Sequence, residues 1–194
     1  KISVISPGLE RIRVANKSRH KIPTGSFVLF LGSNDFHKNA EVVIQALAMP
    51  LLKKISIVFV GENEELQKTC KCFGISNRSI FFGRLQDEDK AFVMNSASLL
   101  VFPSLYEGFG LPPMEAALMG VPSVCSRRPA MTEVLNDCAL FADPHDCLEW
   151  SEQIYKLIHE PYLRSKIIKK ASERANELSW RNSSQKLLKL LSKY

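Results

Sequence analysis

No apolar run in this 194-residue chain approaches the roughly 20 residues that a membrane-spanning helix needs, which argues against an integral membrane protein of the helical kind. Residues 1–7 lack the apolar core and small-residue cleavage site of a secretory leader, so no export address is read there. Cysteine is sparse and odd in number. Cys70, Cys72, Cys125, Cys138 and Cys147 show none of the paired spacings of zinc sites or disulfide scaffolds, and they read as reduced thiols of a cytoplasmic protein. The histidines His20, His37, His145 and His159 are scattered singly, a pattern that speaks against metal ligation. No phosphate-cradling Gly-x-x-x-x-Gly-Lys loop occurs, and Gly108-Phe109-Gly110 runs into Leu111-Pro112-Pro113, which ends the dinucleotide fingerprint before its third glycine. A Gly-x-Ser-x-Gly nucleophile elbow is also missing. Kinase, dehydrogenase and α/β serine hydrolase readings therefore lose their main support, and no internal repeat is evident.

What is present is an ordinary globular composition, 45% hydrophobic and 24% charged, on a chain long enough for one large domain or two small ones. The net charge of +6 is unevenly placed: residues 161–194 hold nine basic and two acidic side chains, so the rest of the chain is nearly neutral. A solvated helix face is the favoured reading of this basic tail. Peripheral contact with an anionic membrane surface is the other.

From residue 27 onward short apolar runs alternate with amphipathic stretches. FVLFLG (27–32), ISIVFVG (55–61), SIFFG (79–83), SLLVFP (98–103), VPSVCS (121–126) and CALFAD (138–143) read as buried strands bounded by Gly, Pro, Ser or Asp. Helices are expected over 40–48, 62–72, 87–96, 112–119 and 131–135. Strict alternation predicts an α/β fold, a Rossmann-like doubly wound parallel sheet of about six strands with both faces covered. After Asp143 the pattern turns helical: Leu148, Ile154, Leu157 and Ile158 recur at helical spacing, Pro161 opens the next helix, and Leu187, Leu188, Leu190 and Leu191 mark a last one from about Trp180. Residues 1–21, with Pro7, Gly8 and basic side chains around 17–21, read as a linker leading into a domain over 22–194.

In such a sheet ligands bind beyond the C-terminal ends of the strands. There the segment VFPSLYEGFGLPPMEAALMG (101–120) carries a strand into a glycine-containing loop and a helix. Pro112 and Pro113 have no N–H to donate and fit only the first turn, which fixes the helix start near Leu111. The amides of Gly108, Phe109, Gly110 and Leu111 would then face an anion, with the positive end of the helix dipole behind them. Glu107 before the loop and Glu115 one turn into the helix would repel phosphate but accept from hydroxyls, so the consistent guest has phosphate between two polyols, the shape of a sugar nucleotide. The plainer alternative is that Glu115 complements the helix dipole and Glu107 is a loop residue.

Pro-Ser-Leu-Tyr-Glu-Gly-Phe-Gly-Leu-Pro-Pro-Met-Glu-Ala (103–116) resembles the paired-glutamate motif of the retaining GT-B glycosyltransferases of the large family usually numbered four, in their nucleotide-sugar-binding C-terminal domain. Further matches run in order: FLGSNDFHKN (30–39), FGRL (82–85), Met131-Thr132-Glu133, Asp143-Pro144 and Ser179-Trp180. The resemblance implies that Glu107 binds donor-sugar hydroxyls, that Gly32, Ser33, Gly108, Phe109, Gly110 and Leu111 bring backbone close to sugar and diphosphate, and that Glu115 holds the ribose diol. It makes Lys38 the fixed cation for the leaving diphosphate, in place of a metal, so neither metal nor cofactor is expected beyond a UDP- or GDP-linked donor. Arg84 would line the base pocket, or point to solvent. Three departures stand out. Ser33 occupies a position where many members have a phosphate-binding arginine, and His37 takes a position often held by arginine, which an imidazole replaces only in part. Pro7 stands where the linker often has asparagine.

The activity implied is hexosyl transfer, with retention, to a glycan or lipid-linked acceptor in polysaccharide or lipopolysaccharide synthesis, in the cytoplasm or at the inner face of its membrane. An N-terminal acceptor domain of the same enzyme would be the partner, and this chain alone, starting at the linker, is expected to bind donor and transfer nothing. The alternatives are a GT-B nucleotide-sugar epimerase or phosphorylase, or a non-catalytic polyanion-binding module. The tail lacks interleaved aromatic residues for base stacking, so no nucleic acid partner is expected.

Overall fold

The computed structural model describes residues 3–10, 14, 20–62 and 64–192. Six parallel strands, β1 (Phe27–Leu31), β2 (Ser56–Val60), β3 (Ser79–Phe82), β4 (Leu99–Phe102), β5 (Ser123–Ser126) and β6 (Leu140–Ala142), form one sheet in the order β3-β2-β1-β4-β5-β6. Between them run α1 (Ala40–Ala48), α2 (Glu64–Cys72), α3 (Asp87–Ser96), α4 (Leu111–Leu118) and α5 (Pro129–Leu135), and after β6 come α6 (Cys147–His159), α7 (Pro161–Glu177) and α8 (Trp180–Leu191). This is the doubly wound α/β architecture expected.

The strands are apolar on both faces, yet their period of two still divides the core. Val28, Phe30, Ile57, Phe59, Leu99 and Val101 point to one side, where they meet Ile44 and Leu47 of α1 and Trp150, Ile154 and Leu157 of α6. Phe27, Leu29, Val58 and Leu100 point to the other, against Val93 and Met94 of α3 and Ala116 of α4. Farther along, Phe102 and Cys125 pack with Met114, Met131 and Val134, and α7 closes over α4.

Helix starts follow local chemistry. Pro129 occupies the first turn of α5, so that helix opens two residues before the expected Met131, and Pro161 opens α7 as predicted. The Asp146 carboxylate accepts from the N–H of Leu148 and Glu149 and caps α6.

One expectation about burial needs correction, that of a fully buried third strand. β3 is half-buried throughout, because it lies at the sheet edge and pairs with β2 alone, Phe81 stacking on Phe59 with ring centroids 4.8 Å apart. Leu148 is 62% exposed; the core-facing position near the start of α6 belongs to Trp150, whose indole N–H donates to the Asp143 carbonyl. Helix α8 contributes no fully buried residue, and Leu187, Leu188 and Leu191 face outward. Its anchorage is at its start: Leu9 N–H donates to Leu178 O, the Ser183 hydroxyl donates to Ser6 O, and Gly8 lies so close to Trp180 that a Cβ would fall 2.3 Å from the Trp180 nitrogen. Residues 17–19 of the basic stretch expected in the linker, and Lys193 of the basic tail, lie outside the described residues. In the tail, Lys170 pairs with Asp137, Arg174 with Glu177, and Arg164 reaches inward to the carbonyls of Ser98 and Leu157. No helix among the described residues is long and apolar enough to cross a membrane.

Candidate functional site

The strand order reverses between β1 and β4, so the loops leaving these neighbours diverge and open a crevice at the C-terminal edge of the sheet. The first loop, residues 32–39, contains a 3₁₀ turn over Phe36–Lys38; the second, residues 103–110, leads into α4. The Leu105 N–H donates to the His37 carbonyl at 2.7 Å and holds the loops side by side. That contact sets Lys38 Nζ 2.6 Å from Glu107 Oε1, with only 21% and 19% of the two side chains exposed. The ammonium also lies 5.6 Å from the ring centroid of Phe102, the buried last residue of β4, within reach of its π-face.

Helix α4 opens at Leu111 with Pro112 and Pro113 in its first turn, as their missing N–H groups require. The residue before it, Gly110, takes φ 82° and ψ 52°, and a Cβ there would fall 2.5 Å from Met131 Cε, so glycine serves both the left-handed backbone and the fit against α5. Gly108 is exposed, Phe109 packs partly against the core, and Gly110 is buried. One turn into the helix, Glu115 Oε2 is 3.7 Å from Lys90 Nζ, and this ammonium also lies 3.5 Å from Asp87 Oδ1. Each member of the acidic pair thus has its own lysine.

Arg84 stands beyond β3 with its Nε 3.1 Å from Glu62 Oε1, both side chains largely in solvent. Glu62 lines a cavity of about 550 Å³ at the ends of β2 and β3, together with Gly61, Phe81, Phe82, Gly83 and Asn34. Gly32 and Gly61 bring the loops of β1 and β2 together: Gly32 N–H donates to Val60 O, and a Cβ on Gly61 would fall 2.3 Å from Gly32 O. The Ser33 hydroxyl is turned within its own loop toward the Asp35 carboxylate, and His37 is exposed.

The structure therefore gathers Gly32, Ser33, Lys38 and Glu107 through Glu115 at one edge of the sheet, with Arg84 at the rim of the neighbouring cavity. Sequence reasoning missed Lys90 and Glu62. Lys90 follows the acidic run Asp87-Glu88-Asp89 and so looks like part of a solvated helix face. Chemically, the site offers carboxylates that accept from hydroxyls, lysines beside them, and a helix start with its dipole toward the crevice. Among the described residues no group of three or more His, Cys, Asp or Glu side chains is arranged to hold a metal ion.

A six-stranded, doubly wound parallel sheet with acids and lysines around the β1/β4 switch point places the chain in the Rossmann-like α/β class. The chain belongs to the family of glycosyl transferases group 1, whose profile matches residues 13–174. A similar curated protein is O-antigen chain mannosyltransferase B of Escherichia coli, 29% identical over 171 residues that cover 84% of this chain and 45% of that protein. Similar folds include Anabaena Alr3699/HepE, solved in complex with UDP-glucose (TM-score 0.77, 22% identity, 88% of this chain and 50% of that one). Another is the C-terminal domain of a glycosyl transferase group 1 family protein, LpcC, from Francisella tularensis (TM-score 0.71, 22% identity, 86% of this chain and 94% of that one). The chain spans from under a quarter to about half the length of the curated relatives it matches.

Proposed function

We propose that this chain is the donor-binding part of a retaining hexosyltransferase that takes its sugar from a UDP or GDP donor and passes it to a glycan or lipid-linked acceptor. The observation that carries the reading is the meeting of Lys38 with Glu107, 69 positions apart in sequence, beside the glycine loop at the start of α4. A carboxylate and an ammonium in contact, adjoining a helix start, suit the junction of a sugar and a diphosphate better than either group alone. Glu107 accepts from sugar hydroxyls and Glu115 from the ribose diol. Two of the three N–H groups of Lys38 remain for phosphate oxygens once one serves Glu107.

During transfer the bond from the anomeric carbon to the diphosphate breaks, a bond from that carbon to an acceptor hydroxyl forms, and one proton is released. Negative charge grows on the departing diphosphate, and a cation already fixed nearby stabilises it without reorganisation. Lys38 fills that role, and Lys90 adds positive charge on the ribose side where the Ser33 position brings none. The base is assigned to the cavity walled by Gly61, Phe82 and Gly83, with Arg84 over its rim. Relatives named as mannosyltransferases and a fold neighbour described with UDP-glucose support a hexose donor. The acceptor is assigned to a further domain of the same enzyme, consistent with the greater length of the relatives.

Thermal-shift titration with UDP-, GDP- and ADP-sugars tests this. One base should raise the unfolding midpoint in a saturable way, and Glu115→Ala should weaken the response at least tenfold in concentration. Equal responses from both proteins would remove the ribose assignment, and no response to any nucleotide sugar would remove the donor reading.

A further inference from the structure

We propose that Asn39 is the positioning residue of this site: its side-chain amide clamps the loops after β4 and β6 to the start of α1 and so holds Lys38 against Glu107. The proposal rests on the donor-binding reading for its functional meaning, though not for its geometry.

An asparagine just before a helix ordinarily turns its side-chain oxygen back to accept from an N–H of the first turn. Asn39 precedes Ala40, the first residue of α1, and makes no such bond. Its amide nitrogen donates instead to Pro144 O at 2.7 Å, in the loop after β6, and to Pro103 O at 3.2 Å, in the loop after β4. Both partners are carbonyl oxygens, so only the NH₂ end of the amide can serve, and its two hydrogens match the two acceptors. The backbone is set for this task. Asn39 takes φ 50° and ψ 39°, the left-handed region that asparagine tolerates better than most residues with a side chain. The helix thus forgoes a cap, and the residue accepts an unfavourable backbone conformation, in favour of two long-range tethers.

Those tethers bracket the site. On one side of Lys38 the His37 carbonyl accepts from Leu105 N–H at 2.7 Å; on the other, Asn39 grips Pro103. The segment 103–105 is therefore fixed at both ends to residues 37 and 39, and Glu107 follows two positions later. The 2.6 Å contact between Lys38 and Glu107 lies directly beyond this double clamp. Its link to Pro144 ties the same corner to the loop of the edge strand β6, so the crevice is braced from three strands at once.

Asn39→Gly tests the idea, since glycine takes the positive φ without strain and removes the side chain that carries the amide. Isothermal titration of the full chain with UDP-glucose, GDP-mannose, UDP and GDP, well below the unfolding midpoint, should show a loss of about tenfold or more in affinity, or 1.4 kcal/mol. In a Lys38→Met background the same substitution should cost no more than about twofold, because the contact it positions is already gone. Unchanged affinity, or the same loss in both backgrounds, would overturn the proposal. A second cycle needs no ligand: in urea unfolding, Lys38→Met should destabilise the wild type more than it destabilises Asn39→Gly, and strict additivity would overturn the proposal. If the wild type binds no nucleotide sugar, the donor reading fails while this unfolding cycle still decides the role of Asn39. Asn39→Asp, which turns a donor into an acceptor facing two carbonyls, is read the same way should the glycine variant not fold.

Discussion

At the scale of single residues, the site depends on backbone conformations and pairings that one atom can upset. Gly110 combines φ 82° with a close approach of Met131, so Gly110→Ala forces a left-handed alanine and pushes the thioether aside. The expected cost is about 1–3 kcal/mol of stability in urea unfolding. Displacement of the loop before α4 should also reduce nucleotide affinity; an alanine variant as stable and as tightly binding as the wild type would contradict the assignment. The thiols separate just as sharply. Burial pushes the Cys125 thiol well above its usual range, and Cys72 is exposed. A thiol reagent should modify Cys72 within the folded protein and reach Cys125 only on unfolding, as peptide mapping by mass spectrometry would record.

At the scale of elements, arginines hold the joints between helices and strands. Arg78, in the turn before β3, donates to the carbonyls of Leu47, Leu52 and Ile55, which close α1 and lead into β2. Partial burial lowers its pKa without bringing an arginine near deprotonation. Arg78→Met leaves three acceptors without that fork, for a cost of about 2–3 kcal/mol, and Arg78→Lys should recover only part, since a point charge cannot span them. Equal stability of the lysine variant and the wild type would sink this account.

Arg127, just past β5, grips Glu149 of α6, and the Asp143 N–H donates to the same carboxylate. The hydrogen bond from Arg127, with help from that N–H, holds Glu149 below the usual carboxylate range. A lowered folded-state pKa means that the stabilisation is present above the ordinary glutamate pKa and is lost as pH falls through the folded value. Because Arg127 is half exposed, the pair is screened. The stability gap between wild type and Arg127→Ala should be up to about 1 kcal/mol at pH 7 and should close as pH falls from about 5 to below 4. A gap independent of pH would contradict it.

For the whole molecule, much of the architecture was legible in the chain because strand cores and helix starts are written locally. Continuous apolar runs ending at Gly32, Gly61 and Gly83 marked three strand ends, and Pro112 and Pro113 fixed the start of α4. Burial was less legible where it depends on sheet order: only the pairing pattern puts β3 at an edge, and only the packing of α6 on the sheet decides that Trp150, not Leu148, faces inward. The same holds for the site. Glu107 and Glu115 could be named from one contiguous motif, but their partnership with Lys38 and Lys90 joins distant segments through the fold, and the double tether of Asn39 looks in sequence like a helix cap.

The central claim is that a sugar nucleotide lies across the loops after β1 and β4. Amide chemical-shift mapping by NMR, with ¹⁵N-labelled chain titrated with the nucleotide sugar that most raises the unfolding midpoint, addresses it most directly. The account predicts saturable shifts concentrated in residues 32–39, 61–62, 83–90 and 104–115, abolished together by Glu107→Gln combined with Glu115→Ala. Shifts centred instead on the basic helices α7 and α8, or shifts in the loops that survive the double substitution unchanged, would contradict it.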